Sequence, residues 1–263
     1  MSGNWEDLKV RLMSGAVMAV IGIAAIIAGG VWFQMLAVFV TAVMVWECWT
    51  MIRGASPTSG MLLAAAVSSI LSAQVFGGAL NYQFLGLFLV VPIFGAIILK
   101  RERITFFIFA FALQIAGYGL VHFRIEFGFT WLLWLVSIVV VTDMAGYFAG
   151  KSLGGPKFWP AVSPKKTWSG TIGGWVGAAL VGVIFTMFTN AGWTIILLSI
   201  VISFAGQMGD IAESALKRRQ GVKESSTLIP GHGGLFDRFD ALLGASLFML
   251  LIAVAFNAPG VAF

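Results

Sequence analysis

The stretch Asp210–Asp240, DIAESALKRRQGVKESSTLIPGHGGLFDRFD, interrupts a chain that is apolar on both sides of it. It carries five of the eleven acidic residues (Asp210, Glu213, Glu224, Asp237, Asp240) and five of the sixteen basic ones (Lys217, Arg218, Arg219, Lys223, Arg238). The run from Trp193 to about Gln220 enters it as one helix, and Lys217-Arg218-Arg219 followed by Gly221 is a helix-stop signal. Ala241 to Phe256 leaves it as another apolar run. A charged insertion between two such runs marks a membrane boundary, where basic residues collect in cytoplasmic loops for that reason alone. The acids and the run Pro230-Gly231-His232-Gly233-Gly234 ask for more, because Gly-rich backbone lets a chain come close to a phosphate.

Composition extends this reading to the whole chain. Hydrophobic residues make up 59% and charged residues 10%, whereas soluble domains carry about 25% charged residues. The chain is therefore expected to be an all-α polytopic membrane protein. At about 20 residues per span, about eight to ten spans use up most of the chain and leave no room for a separate soluble domain. The single cysteine, Cys48, excludes an intrachain disulfide and a Cys-rich metal site. The net charge of +5 reports basic cytoplasmic loops and suits anionic lipid. No soluble basic module exists to carry nucleic acid. Ten Trp residues fit membrane interfaces.

Nine spans follow from the hydropathy pattern: Leu12–Ala28, Val31–Ile52, Met61–Leu80, Phe84–Leu99, Ile104–Val121, Phe129 to about Phe148, Gly170–Phe188, Trp193 to about Gln220, and Ala241–Phe256. Gly54–Gly60 reads as a turn, Asn81–Gln83 and Thr189–Gly192 as tight links, and His122–Glu126 as a short loop; Pro92 is expected to kink the fourth span. With the N-terminus in the cytoplasm, fifteen of the sixteen basic residues fall on the inside and only Arg124 on the outside. The C-terminus is then periplasmic. Residues 1–128 form an N-terminal region of about five spans, and 129–263 a catalytic region of about four, with cytoplasmic loops 151–169 and 217–240.

Helical spacing gathers candidate chemistry at that cytoplasmic side. Asp210, Glu213, Ser214 and Lys217 share one face of the eighth helix. Asp143, Gly146, Tyr147 and Gly150 share a face of the sixth, where the two glycines allow another helix to approach closely. A carboxylate inside a span is costly unless it has a partner or a wet cavity. Glu47, in Trp46-Glu47-Cys48-Trp49, reads as a structural pairing residue, and His122 as a surface residue. Carboxylates beside many Lys and Arg, with Gly-rich backbone, fit polyphosphate with a divalent cation such as magnesium. The chain has no P-loop motif, no His-Glu-x-x-His and no Gly-x-Ser-x-Gly.

The run Ser214-Ala215-Leu216-Lys217-Arg218, then Lys223, then Pro230-Gly231-His232-Gly233-Gly234-Leu235-Phe236-Asp237-Arg238-Phe239-Asp240 resembles the signature of the phosphatidate cytidylyltransferases. Two upstream stretches resemble the same family: DMAGYFAGK (Asp143–Lys151) and SPKKTWSG (Ser163–Gly170). One position departs, since the family has Asp after Lys223 and this chain has Glu224. The resemblance implies transfer of a cytidylyl group from CTP to phosphatidate in phospholipid biosynthesis. It implies an integral protein of the bacterial inner membrane, a homodimer, with its site open to the cytoplasm. It implies that Asp210 and Asp237 hold the metal, Mg2+ with K+ as a candidate second ion, and that Lys217, Arg218 and Lys223 act with them. Ser163, Lys165, Lys166, Thr167, Ser214, His232, Gly233, Arg238 and Asp143 are the implied substrate contacts. Two alternatives stay open: a related lipid-nucleotide transferase or polyprenol kinase acting on another lipid, and a transporter. Transporters commonly carry internal repeats and a site near the bilayer midplane; this chain has no evident repeat and gathers its charge at one membrane face.

Overall fold

The computed structural model describes residues 3–54, 57–77 and 82–255. Among the described residues, eight α-helices carry the fold, with one two-stranded hairpin between the fifth and the sixth. They are α1 (Gly3–Ala28), α2 (Gly30–Arg53), α3 (Pro57–Phe76), α4 (Val90–Ile98), α5 (Arg103–Leu153), α6 (Trp168–Phe188), α7 (Thr194–Arg219) and α8 (Phe236–Ala255). A 3₁₀ segment, Tyr82–Leu89, leads into α4. Among the described residues, six helices are long and apolar enough to cross a membrane: α1, α2, α3, α5, α6 and α7. Their apolar side chains face outward, as at Leu12 (65% exposed), Ile27 (65%) and Phe188 (81%). That is the pattern of a protein solvated by lipid rather than water.

Several boundaries differ from the sequence expectation. His122–Glu126 is helix, not loop, because nothing in HFRIE breaks a helix; Tyr118 and His122 stack one turn apart, 6.2 Å between ring centres. The break comes at Gly128, whose φ of 83° favours glycine. Gly128 thus divides α5 into two helical parts, 103–127 and 129–153, each of about 25 residues and so about 37 Å, enough to cross a hydrocarbon core of about 30 Å. The expected fourth span is a 3₁₀ segment followed by a nine-residue α-helix. Pro92, which lacks an N–H, sits in the first turn of α4, where that N–H would have no helical partner. The turn predicted for Gly54–Gly60 is shorter, since α3 begins at Pro57. Part of the expected Asn81–Gln83 link and the tail after Ala255 lie outside the described residues. Gly29 and Gly30, at φ 61° and 46°, separate α1 from α2 as the sequence indicated.

The chain divides into two compact units: residues 1–126 with 219–239, and residues 127–218 with 240–263. The loop 219–239 belongs with the unit that holds residues 1–126. In that unit α2 is the packing centre, with Val45, Glu47, Cys48 and Trp49 fully inaccessible. Trp49 meets Phe106 edge-on at 5.1 Å. Gln114 donates to the carbonyls of Phe88 (3.2 Å) and Ala110 (3.0 Å), which ties the 3₁₀ segment to α5.

In the second unit, polar side chains pair across helices. Trp134 donates to Ser199 (3.1 Å), Thr142 to Ser203 (2.8 Å), and Trp175 to Gln207 (3.0 Å), whose amide donates to the Thr171 carbonyl (3.2 Å). The close approach expected at Gly146 and Gly150 is found, and its partner is α6. A Cβ on Gly146 would lie 3.0 Å from the Gly170 carbonyl oxygen, and one on Gly150 would lie 2.9 Å from Thr167 Oγ1.

Candidate active site

The loop after α5 folds as an antiparallel hairpin, β1 (Lys157–Trp159) and β2 (Ser163–Thr167), an addition to the expected all-α fold. The hairpin delivers Lys165 and Lys166 to the start of α6. Thr167 caps that helix: its side chain accepts from the Gly170 N–H at 3.2 Å, satisfying one of the donors a helix start leaves unpaired. Thr167 is therefore first a structural residue, and it also lines the adjoining cavity.

That cavity, about 360 Å³, lies wholly within the second unit. Asp143, Tyr147, Lys151, Lys165, Lys166 and Thr167 line it. Gly146, Gly150 and Gly170 form part of its wall, where α5 and α6 come close. The Lys151 ammonium lies over the Tyr147 ring, 5.6 Å from its centre. Lys166 pairs with Asp210 on α7. Ser163 pairs with Trp159 near the hairpin turn and is not among the cavity's lining residues.

On α7, Ser214 donates to Asp210 Oδ1 (3.3 Å), and Lys217 pairs with Glu213 one turn away. Asp240, on α8, completes a group with Asp210 and Glu213 whose ligand oxygens all lie within 4.8 Å of one another. Three carboxylates this close repel one another, and a cation among them relieves the repulsion. Their all-oxygen donor set fits a hard ion such as magnesium. Helical spacing put Glu213 on the face of Asp210 but did not single it out as a ligand. Asp240 was missed as one altogether; nothing local in the sequence says that it returns to α7.

Asp237 belongs to the other unit. Its Oδ2 accepts from the Ser225 N–H, the Ser225 hydroxyl and the Gly234 N–H, each at 2.8 Å. The Gly-rich run forms a tight turn: Ile229 and Gly233 exchange backbone hydrogen bonds at 2.8 and 3.1 Å, and Gly233 has a φ of 80°. A Cβ there would press on Asp237 Oδ2 at 2.8 Å and on Glu224 Cγ at 3.2 Å. Arg238 donates twice to the His232 carbonyl, at 3.0 and 2.7 Å, and so braces the turn. His232 Nδ1 lies 2.7 Å from Ser14 Oγ on α1. Burial, then the charges of Arg238 and Arg11, hold its imidazole below the usual histidine range. Arg218, Lys223 and Glu224 are exposed.

The cytidylyltransferase family pattern matches residues 9–256. The chain belongs to that family. A phosphatidate cytidylyltransferase of Brucella suis is 44% identical over 137 residues, which is 51% of each chain, so the match spans about half the length of that relative. A phosphatidate cytidylyltransferase of Staphylococcus epidermidis is 32% identical over 249 residues, covering 90% of this chain and 95% of the relative. One of Bacillus subtilis is 30% identical over 272 residues, covering 95% and 99%. The motifs read from the sequence lie in the C-terminal half, yet the family pattern begins at residue 9. In the structure Ser14 on α1 bonds to Pro230 and His232 of the Gly-rich turn, and Glu47 on α2 bonds to Ser226 and Phe236 on either side of it.

Proposed function

We propose that the protein transfers a cytidylyl group from CTP to phosphatidate, giving CDP-diacylglycerol and pyrophosphate. The observation that carries this reading is the cavity in which Lys151, Lys165 and Lys166 face Asp143, with Lys166 paired to Asp210, in a membrane chain of the cytidylyltransferase family. Cations beside acids in one cavity suit a polyphosphate that arrives with a divalent ion.

In the reaction, an oxygen of the lipid phosphate attacks the α-phosphorus of CTP. The new P–O bond forms as the bond from that phosphorus to the bridging oxygen breaks, and pyrophosphate leaves with the electron pair. A phosphate monoester is already an oxyanion at neutral pH, so the nucleophile needs positioning rather than deprotonation. No Ser–His pair and no covalent enzyme intermediate is required, and His232 has no duty as a general base. Lys151, Lys165, Lys166 and the Thr167 hydroxyl hold the triphosphate; Lys217, Arg218 and Lys223 neutralise the phosphates that approach and depart. Asp210, with Glu213 and Asp240, and Asp237 are the carboxylates we assign to magnesium, with potassium as the candidate second ion. When bound, the metal supplies charge neutralisation to the attacking and leaving oxygens.

The same reading makes this a nine-span protein of the bacterial inner membrane, its N-terminus and both polar loops cytoplasmic and its C-terminus periplasmic. The 3₁₀ segment with α4, the two parts of α5, and α8 would supply the spans beyond α1, α2, α3, α6 and α7. Reporter fusions after Ser56 and Ser163 are expected to read cytoplasmic and a C-terminal fusion periplasmic; a cytoplasmic C-terminus would break the topology. A homodimer is part of the proposal, and light scattering of the detergent-solubilised protein checks it.

The deciding experiment uses purified protein in detergent with phosphatidate, each of the four nucleoside triphosphates in turn, and magnesium present or absent. CDP-diacylglycerol should form from CTP, only with magnesium and without any membrane gradient. Turnover with another lipid acceptor and none with phosphatidate would replace the substrate, and no nucleotide-dependent turnover at all would remove the reading.

A further inference from the structure

We infer that Glu47 is a positioning residue for the transfer reaction, clamping the loop that carries Asp237 from the last third of α2. This rests on the reading of Asp237 as a metal-holding residue. Glu47 is fully inaccessible, on a helix whose other buried side chains are apolar except for Thr41. A buried carboxylate persists only where donors replace its water. Here Oε1 accepts from the Ser226 hydroxyl (2.6 Å) and the Leu235 N–H (3.0 Å), and Oε2 from the Phe236 N–H (2.7 Å). The Ser225 hydroxyl lies 3.4 Å from Oε2 but 2.8 Å from Asp237 Oδ2, so its single proton serves Asp237.

Two of the donors are backbone groups at the start of α8, whose first residue is Phe236. A helix start has N–H groups without helical partners and favours negative charge. Glu47 supplies that charge from 189 residues away in sequence. Asp237 stands in the first turn of the same helix and takes the Ser225 hydroxyl and N–H, while Glu47 takes the hydroxyl of the next residue, Ser226. The loop therefore closes on two acceptors, one reaching from α2 and one on α8. A Cβ on Gly234 would collide with both Ser225 Oγ and Glu47 Oε1, which requires glycine at that point of the clamp.

The arrangement makes the carboxylate irreplaceable by its own amide. Each oxygen faces a backbone N–H, and a backbone N–H cannot turn round. Gln in one orientation sets its NH2 against Leu235 N–H, and in the other against Phe236 N–H. One donor is left facing a donor either way.

The test compares Glu47→Gln and the milder Ser226→Ala with the parent, and runs Asp237→Asn beside them, all as full-length protein in detergent. Hydrogen exchange is read on peptides covering 225–237 and, as a control, on α3. Steady-state kinetics are read against CTP, phosphatidate and magnesium. For Glu47→Gln we expect exchange in 225–237 to speed up by about tenfold or more, with α3 unchanged, as one lost charge-assisted hydrogen bond implies. We expect kcat to fall by about tenfold and the magnesium half-saturation to rise, with KM for phosphatidate within about twofold. Ser226→Ala should move the same quantities in the same direction by about twofold to fivefold, because one neutral hydroxyl donor is lost. Parental exchange in Glu47→Gln overturns the clamp. Faster exchange with parental kcat and magnesium response leaves Glu47 a purely structural residue and overturns the positioning role. If Asp237→Asn is inactive while Glu47→Gln is parental, only this inference fails. If Asp237→Asn keeps its turnover, the reading of Asp237 fails, and the inference falls with it.

Discussion

Asp210 and Asp237 owe their interest to surroundings of opposite kinds. Asp210 sits among acids, with Glu213 and Asp240 close by and Lys166 and Ser214 attached. Asp237 sits among hydrogen-bond donors. Asn preserves the shape of either but removes the charge a metal requires. Asp210→Asn and Asp237→Asn are each expected to abolish nearly all CTP-dependent turnover while leaving folded protein in the membrane. Turnover near the parental level in either variant would remove that residue from the metal assignment. Glu224 poses a finer question. It is exposed, with its aliphatic part against Gly233, and the surroundings do not demand the longer side chain. Glu224→Asp, which restores the family's residue, should retain or raise kcat/KM, and Glu224→Ala should lower it. An inactive Glu224→Asp would mean that the loop has adapted to the extra methylene.

At the scale of elements, the contact of α5 with α6 builds the cavity, and glycine is what makes it possible. A Cβ on Gly170 would lie 2.7 Å from the Gly146 carbonyl oxygen, which is backbone and cannot move aside as a side chain would. Gly170→Ala should therefore force the helices apart and destabilise the protein by about 1–3 kcal/mol, the usual cost of overpacking. Thermal unfolding in detergent measures this, and an unchanged midpoint would show that the contact gives way freely. The spacing of Gly146 and Gly150 was legible in the sequence because both lie on one helix face. That their partner is Gly170 was not, since a pattern within one helix says how closely a neighbour can come and not which neighbour comes.

For the whole molecule, the proposed reaction divides its substrates between membrane and water. In the proposed reaction the lipid acceptor keeps its phosphate at the interface, and CTP comes from the aqueous side. A direct transfer needs both bound at once. Labelled pyrophosphate is accordingly expected to exchange into CTP only when phosphatidate is present, measured on the purified protein. Exchange without lipid, together with a trapped cytidylyl-enzyme, would refute direct attack even if the overall reaction held.

Membrane character and the helices were readable from the amino acids because their causes are local. A bilayer demands about 20 apolar residues in a row, and no other solvent asks for that. The breaks at Gly29 and Gly54 were equally readable, as positions where backbone freedom is needed. Local rules failed where two local signals competed, as at His122–Glu126, where charge suggested a loop but helix propensity carried α5 on to Gly128. They were silent where partners are remote. Glu47 meets Ser226 across 179 residues, Asp240 joins Asp210 and Glu213 from another helix, and a hairpin brings Lys166 to Asp210. Hydrogen bonds and ion pairs of that kind leave no periodicity in the chain. Their cost and benefit arise only once the helices pack and the groups lose their water, so they became visible only in the folded protein.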